Sequence, residues 1–399
     1  MRGFRIGRVF GIDIRVDWSW LFIFLLLTWN LTTAFTYWHP DWAVAESIVV
    51  AVAASLIFFG CILVHELAHA GVASAYHLRV RSITLFLFGG VSDIEHEPTS
   101  PRAELLTALA GPAASILLGL WFLFMMLAWA ATPAGGLFNR ADVVANLGPI
   151  GTLLAWLGPI NIIIGVFNLI PAFPLDGGRV LRSILWSTSG DLRTSTRRAS
   201  FIGQLFGWLF IVLGIAMAFG VRIPLFGSGV IAGLWLAFIG WFLHSASSTS
   251  YRRIALDDAL AGHTVEEVMR RTGPVVPPEL PVETLVRDYL VQSDDRALPV
   301  VRDGRLVGLV SISDVRTIPP SAWPTTPVEK AMRPDESLIV ARPDEPLSEA
   351  FDQLARQDVG QLPVIDHGHL VGMLQRRDLT RWLELTWGPT TAAPGFGAR

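Results

Sequence analysis

The chain is short of the groups that soluble proteins use to face water. Charged residues make up 16% of its 399 positions, against about 25% in a typical soluble domain. They are sparse before about residue 250 and dense after it, which divides the chain into a membrane part and a soluble part. Cys61 is the only cysteine, so no internal disulfide can form. Lys330 is the only lysine, and nearly all basic charge is arginine. The net charge of −3 argues against a direct nucleic-acid partner. A cleavable signal peptide is not evident. The first 17 residues carry Arg2, Arg5, Arg8 and Arg15 and alternate as Phe4, Ile6 and Ile12, Ile14, Val16. That pattern predicts a short hairpin, retained ahead of the first span.

What is plentiful is apolar: hydrophobic residues are 52% of the chain. Six segments approach the length needed to cross a bilayer of ~30 Å, near residues 18–38, 46–70, 104–131, 148–173, 201–220 and 226–245. Arginine marks alternate loops: the N-terminus, the loop with Arg79, Arg81 and Arg102, the loop with Arg179, Arg182, Arg193, Arg197 and Arg198, and Arg252 and Arg253 after the sixth span. The opposite loops hold Arg140 and Arg222. Basic loops stay inside, so both termini are expected in the cytoplasm of a multi-pass cell-membrane protein.

Within the second segment stands His65-Glu66-Leu67-Ala68-His69, an HExxH motif. Residues four apart share a helical face, so both imidazoles point at one spot and can hold zinc. Glu66 can then act as the base toward a water at the metal. The run from Ser47 to Val64 carries no charge, and ionisable groups inside a membrane usually mark function. Cys61, four residues before His65, reads as a small apolar helix residue.

Catalytic zinc needs a third protein ligand and an open position. Span two runs inward, and His65 lies about 18 residues, roughly 27 Å, along it. Span four also runs inward and ends Pro171-Ala172-Phe173-Pro174-Leu175-Asp176-Gly177-Gly178. Asp176 arrives at similar depth and is the best third ligand; Asp93, Glu95, His96 and Glu97 compete from a polar run after span two. Asn168 either donates to a developing oxyanion or ties two helices together, while Asn161 reads as structural. Residues 78–92 are β-rich with a glycine turn. They form either a strand edge that could receive an extended peptide or a membrane-surface hairpin.

His65-Glu66-Leu67-Ala68-His69, Asn168 and Pro174-Leu175-Asp176-Gly177-Gly178, with Phe88-Gly89-Gly90 and Ala110-Gly111-Pro112, resemble the site-2 protease family of intramembrane zinc metalloproteases over residues 4–245. The resemblance implies one zinc ion per chain, with His65, His69 and Asp176 as ligands and Glu66 as base. It also implies peptide-bond hydrolysis in or beside the bilayer. The substrates it implies are single-span membrane proteins, often regulators of transcription.

Residues 264–385 repeat with a period of about 64, in two copies, which means a tandem pair and not a solenoid. Val265-Glu266-Glu267-Val268-Met269-Arg270 returns as Val328-Glu329-Lys330-Ala331-Met332-Arg333, and Leu306-Val307-Gly308 as Leu370-Val371-Gly372. The pattern resembles paired cystathionine-β-synthase (CBS) modules, which implies an ATP or AMP site and a homodimer formed through the pair. Ser311 and Asp314 match the nucleotide pattern. Asp378 matches in the second copy, but Gln375 stands where Ser or Thr is expected, so one site looks complete.

The expected fold is a polytopic α-helical membrane protein of six transmembrane helices with a C-terminal α+β tandem CBS domain. Its parts are an N-terminal hairpin at 1–17, a protease domain at 18–250, a linker at 251–262, a CBS pair at 263–385 (about 263–320 and 325–385), and a disordered tail at 386–399. The expected function is intramembrane zinc endopeptidase in regulated intramembrane proteolysis, modulated by nucleotide. A CBS-gated channel would explain the spans and the pair but not the convergence of HExxH and Asp176. An inactive relative would not need Glu66.

Overall fold

A computed structural model of the protein describes residues 3–86, 89–94, 98–130, 147–224, 227–271, 273–292, 295–357 and 359–387. Glu95, His96, Glu97, Phe88, Arg140 and the tail after 387 lie outside the described residues. The chain forms two units, Met1–Tyr251 and Arg252–Arg399.

The first unit opens with strands β1 (Gly3–Val9) and β2 (Ile12–Asp17), then helices α1 (Trp18–Trp38) and α2 (Val44–Ala75). Asp17 caps α1, its carboxylate accepting from the Ser19 amide at 2.9 Å. Strands β3 (Val80–Phe86) and β4 (Gly89–Ile94) follow, then α3 (Pro101–Ala130), α4 (Pro149–Asn168), α5 (Asp176–Ser189), α6 (Leu192–Ala218) and α7 (Val230–Leu260), whose residues from Arg252 on belong to the second unit. Among the described residues, six helices, all but α5 in this unit, are long and apolar enough to cross a membrane. Their lipid-side residues, such as Trp29, Leu117 and Ile231, are exposed.

The expected hairpin and the β-rich segment at 78–92 are one structure. The sheet runs β1-β2-β3-β4, with β2 parallel to β3 and the other pairs antiparallel. Alternation places Ile12, Ile14 and Ile83 on the inner face, against Leu63, Leu67 and Ala70 of α2. The sheet is thereby fixed to the helix that carries HExxH.

Span four, expected at 148–173, is helical only to Asn168. Pro171 and Pro174 cannot continue a helix, so residues 169–175 turn sharply before α5 begins at Asp176. The Phe173–Pro174 peptide bond is cis. A Cβ on Gly177 would strike the carbonyls of Leu169 and Ile170, so only glycine permits this fold-back. The fifth span starts earlier than expected. Asp191 caps α6, accepting from the Arg193 and Thr194 amides at 3.0 and 3.1 Å. Residues 251–262, expected as a linker, continue α7 to Leu260.

The second unit holds α8 (Val265–Val268), α9 (Val282–Thr284), β5 (Ala297–Arg302), β6 (Arg305–Ser311), α10 (Ile312–Val315), β7 (Arg333–Pro334), α11 (Leu347–Arg356), β8 (Gln361–Asp366), β9 (His369–Gln375) and α12 (Arg376–Trp387). Its two cores cut across the expected copies. One gathers Val276, Leu285, Val300, Val310 and Val328. The other gathers Leu260, Val265 and Val268 with Leu347, Leu362 and Leu379. The opening Val-x-x-x-Met-Arg segment of each repeat closes the other copy. Arg270 bridges to Met373 on β9, and Arg333 pairs with Leu309 on β6. A Cβ on Gly308 would meet the Met332 sulfur, and one on Gly372 the Met269 sulfur. Val328, in the second expected copy, thus lies in the core built mainly from the first.

Candidate metal centre

Helix α2 presents His65 and His69 one turn apart, both buried at 6% and 5% exposure. Asp176, in the first turn of α5, comes to the same place. The Nε2 atoms of His65 and His69 and Oδ2 of Asp176 form a triangle with all three sides 3.2 Å. Four ligands placed tetrahedrally at zinc's ~2.0–2.1 Å stand about 3.3–3.4 Å from one another, so the triangle has the size of three of them. Among the described residues, these are the three His, Cys, Asp or Glu side chains gathered closely enough to hold a metal.

The imidazoles are held from behind by α3. His69 Nδ1 lies 2.6 Å from the Thr107 carbonyl. A carbonyl only accepts, so Nδ1 carries the proton and the Nε2 lone pair faces the triangle. His65 Nδ1 lies 2.9 Å from Ser115 Oγ, which can accept in the same way. Two imidazole nitrogens and a carboxylate oxygen converging in a buried space repel unless a proton or a metal ion joins them, and the donor set suits zinc. The cradle is also spatial. A Cβ on Gly111 of α3 would stand 2.6 Å from His65 Nε2 and nearer still to His69 Nε2.

Glu66 is half-buried beside the triangle. Its Oε2 accepts from Ser92 Oγ at 2.8 Å. A Cβ on Gly90 would fall against Glu66 Cγ, so the β4 backbone lies directly along this side chain. The glycine turn thus has a specific use: it lets an edge strand approach the candidate base.

The other candidates sort differently. Asn168 Nδ2 donates to Ile164 within its own helix at 3.0 Å, and Asn161 Nδ2 likewise to Leu157 at 2.8 Å. Asp93 pairs in register with Ser82 on the sheet and is not among the gathered ligands. Thr107, Ser115 and Ser92 were given no role in the sequence reading, and Gly111 entered it only as part of the Ala110-Gly111-Pro112 resemblance. The four-residue spacing 107, 111, 115 around Ala110-Gly111-Pro112 was the available signal.

In the second unit, Ser311 caps α10, and Asp314 Oδ2 accepts from the Ser311 amide at 2.9 Å. Arg333 Nε approaches Asp314 Oδ1 at 3.3 Å, and Arg270 Nη2 approaches Asp378 Oδ1 at 3.2 Å. Each exchanged segment therefore brings an arginine to the aspartate of the copy it closes. Gln375 donates to Asp295 at 3.1 Å, and Arg377 pairs with the same carboxylate. A cavity of about 80 Å³ is lined by Arg270, Asp295, Gly372 and Gln375. Small-molecule pockets are usually ~300 Å³ or more, so a nucleotide there would have to move these side chains.

The family described as Peptidase family M50 matches residues 53–214, and the CBS domain matches 265–321 and 315–385. The chain is 32% identical over 384 residues to a protein of Mycobacterium tuberculosis named as zinc metalloprotease Rip3, covering 95% of this chain and 92% of that one. It is 30% identical over 383 residues to one of Synechocystis named as zinc metalloprotease sll0528, covering 95% of each. Among solved structures it is similar to the site-2 protease from Methanocaldococcus jannaschii, with 23% identity and a TM-score of 0.39 over 63% of this chain and 95% of that one.

Proposed function

Because the chain belongs to peptidase family M50, the site-2 proteases, and is a multi-pass membrane metalloprotease with tandem CBS domains, we propose that it cuts single-span membrane proteins at His65, Glu66, His69 and Asp176. The observation that carries this reading is the buried 3.2 Å triangle of two imidazole nitrogens and one carboxylate oxygen. His65, His69 and Asp176 would hold one zinc ion. Zinc bound there supplies a Lewis acid that polarises a carbonyl and acidifies water. Glu66 takes the proton of the attacking water and delivers it to the leaving amine. Thr107 and Ser115 keep both Nε2 lone pairs aimed inward.

A transmembrane helix hides its carbonyls in its own hydrogen bonds, so the substrate must unwind before it is cut. The β4 edge supports a way of holding it. An extended segment added there would run beside Glu66, where Gly90 removes the side chain that would intervene. The arginine pattern supports cytoplasmic termini. The family resemblance supports regulators of transcription among the substrates. The CBS pair would dimerise two chains and take ATP or AMP at Ser311 and Asp314, where ligand must compete with Arg333 for the carboxylate.

The test is membrane proteomics in the native host after Glu66→Gln. A single-span protein should accumulate uncut and be processed again when wild type is restored. An unchanged set of membrane proteins would count against the reading.

A further inference from the structure

One face of α3 addresses both histidines of the centre. Glu104, Thr107, Gly111 and Ser115 recur at steps of three and four, so they share one stripe of the helix. Thr107 orients His69, Gly111 leaves the space between the imidazoles, and Ser115 orients His65. Glu104 alone has no histidine to hold. It is fully buried, and its Oε1 accepts from Arg182 of α5, from Nε at 2.7 Å and from Nη2. The next residue, Ser183, donates to the Pro101 carbonyl at 2.7 Å. Arg182 also lies 5.8 Å from the centre of the Phe173 ring, in the turn that leads into α5.

Helix α5 begins with Asp176, and Ser183 lies seven residues on, two turns along the same face. The α3 helix therefore grips α5 at its middle, two turns from the carboxylate ligand in its first turn. A buried ion pair is a poor way to gain stability, since a well-packed apolar pair often does as well. We propose that Glu104 and Arg182 are positioning residues: they set Asp176 in register with the two histidines, which α3 also fixes. This rests on the reading of His65, His69 and Asp176 as metal ligands.

The experiment uses the full chain in lipid nanodiscs. Zinc content, the rate of zinc loss to a chelator, and the visible spectrum of the cobalt-substituted protein are compared for wild type, Glu104→Leu/Arg182→Met and Arg182→Lys. The double variant replaces the pair by apolar side chains of similar length. It should keep its melting temperature without metal, lose zinc about tenfold faster or more, and show altered cobalt bands. Arg182→Lys keeps the charge but not the two-nitrogen grip, and should fall between the two. If the double variant does not fold, an intermediate zinc-loss rate in Arg182→Lys still supports the clamp, and a wild-type rate there removes it. Wild-type rates and spectra in a folded double variant overturn the clamp alone. A wild type that binds no zinc overturns the metal reading beneath it.

Discussion

Gly111→Ala adds one methyl group where the structure leaves room for an ion. The added Cβ would stand 2.6 Å from His65 Nε2, which is 0.8 Å short of the 3.4 Å at which ordinary contact begins. It would be closer still to His69 Nε2. Neither ring can retreat along its plane, because Ser115 and the Thr107 carbonyl stand behind them at 2.9 and 2.6 Å. Metal–ligand distances tolerate changes of about 0.2 Å, so the required shift is several times too large. Zinc affinity should fall on the order of 100-fold, the upper end for disturbed ligand orientation, and cleavage should fall with it. The helix itself should gain, since alanine is favoured over glycine in a helix interior by roughly 0.5–1 kcal/mol. The same clash is present without metal and costs roughly 1–3 kcal/mol as overpacking, so metal-free Gly111→Ala should melt at or modestly below metal-free wild type, a far smaller loss than the loss in zinc affinity. Competition against a fluorescent zinc chelator reads affinity, and thermal unfolding in nanodiscs reads stability. Gly111→Ala that binds zinc like wild type would refute the placement of the ion between these rings.

Three further outcomes follow from the same geometry. Glu66→Gln should keep its zinc, since no ligand changes, while cleavage of a model single-span substrate falls by about two orders of magnitude or more; normal turnover would exclude Glu66 as base. Asp176→Ala should bind zinc about 100-fold more weakly, and full zinc content by elemental analysis would return attention to the carboxylates after β4. The full chain should bind one ATP or AMP per CBS pair by calorimetry, with Asp314→Ala abolishing the heat; silence in wild type at millimolar nucleotide would leave the pair as a dimerisation or substrate-docking module.

The apolar runs were legible because a span needs only length and absence of charge, and α1 falls where its pattern placed it, from Trp18 to Trp38. Span ends were less so. Asn168 ends α4 although apolar residues continue, because hydropathy does not register what Pro171 and Pro174 do to backbone hydrogen bonding. The histidines and Asp176 could be picked out since each ligand is a costly group in an apolar setting. The roles of their supports could not. Thr107 acts through its main-chain carbonyl, which any residue possesses. Gly111 acts by lacking a side chain, and Ser115 is one small hydroxyl among many. The Glu104–Arg182 pair joins residues 78 positions apart, and only the packing of α3 on α5 makes them neighbours.

The repeat shows a different gap between pattern and fold. Matching Val265–Arg270 with Val328–Arg333 identifies equivalent segments, but equivalence is symmetric under exchange. A segment that closes its own copy and one that closes the other leave the same repeat in the sequence. Contacts break the tie: Met269 packs at Gly372 and Met332 at Gly308. The exchange has a chemical consequence that the motif alone did not carry. It brings Arg270 to Asp378 and Arg333 to Asp314, so each aspartate that matches the nucleotide pattern already holds a guanidinium from the opposite copy. A nucleotide bound at Asp314, as proposed, would compete with this contact between the copies, and its occupancy would then be coupled to how the two halves of the pair are joined.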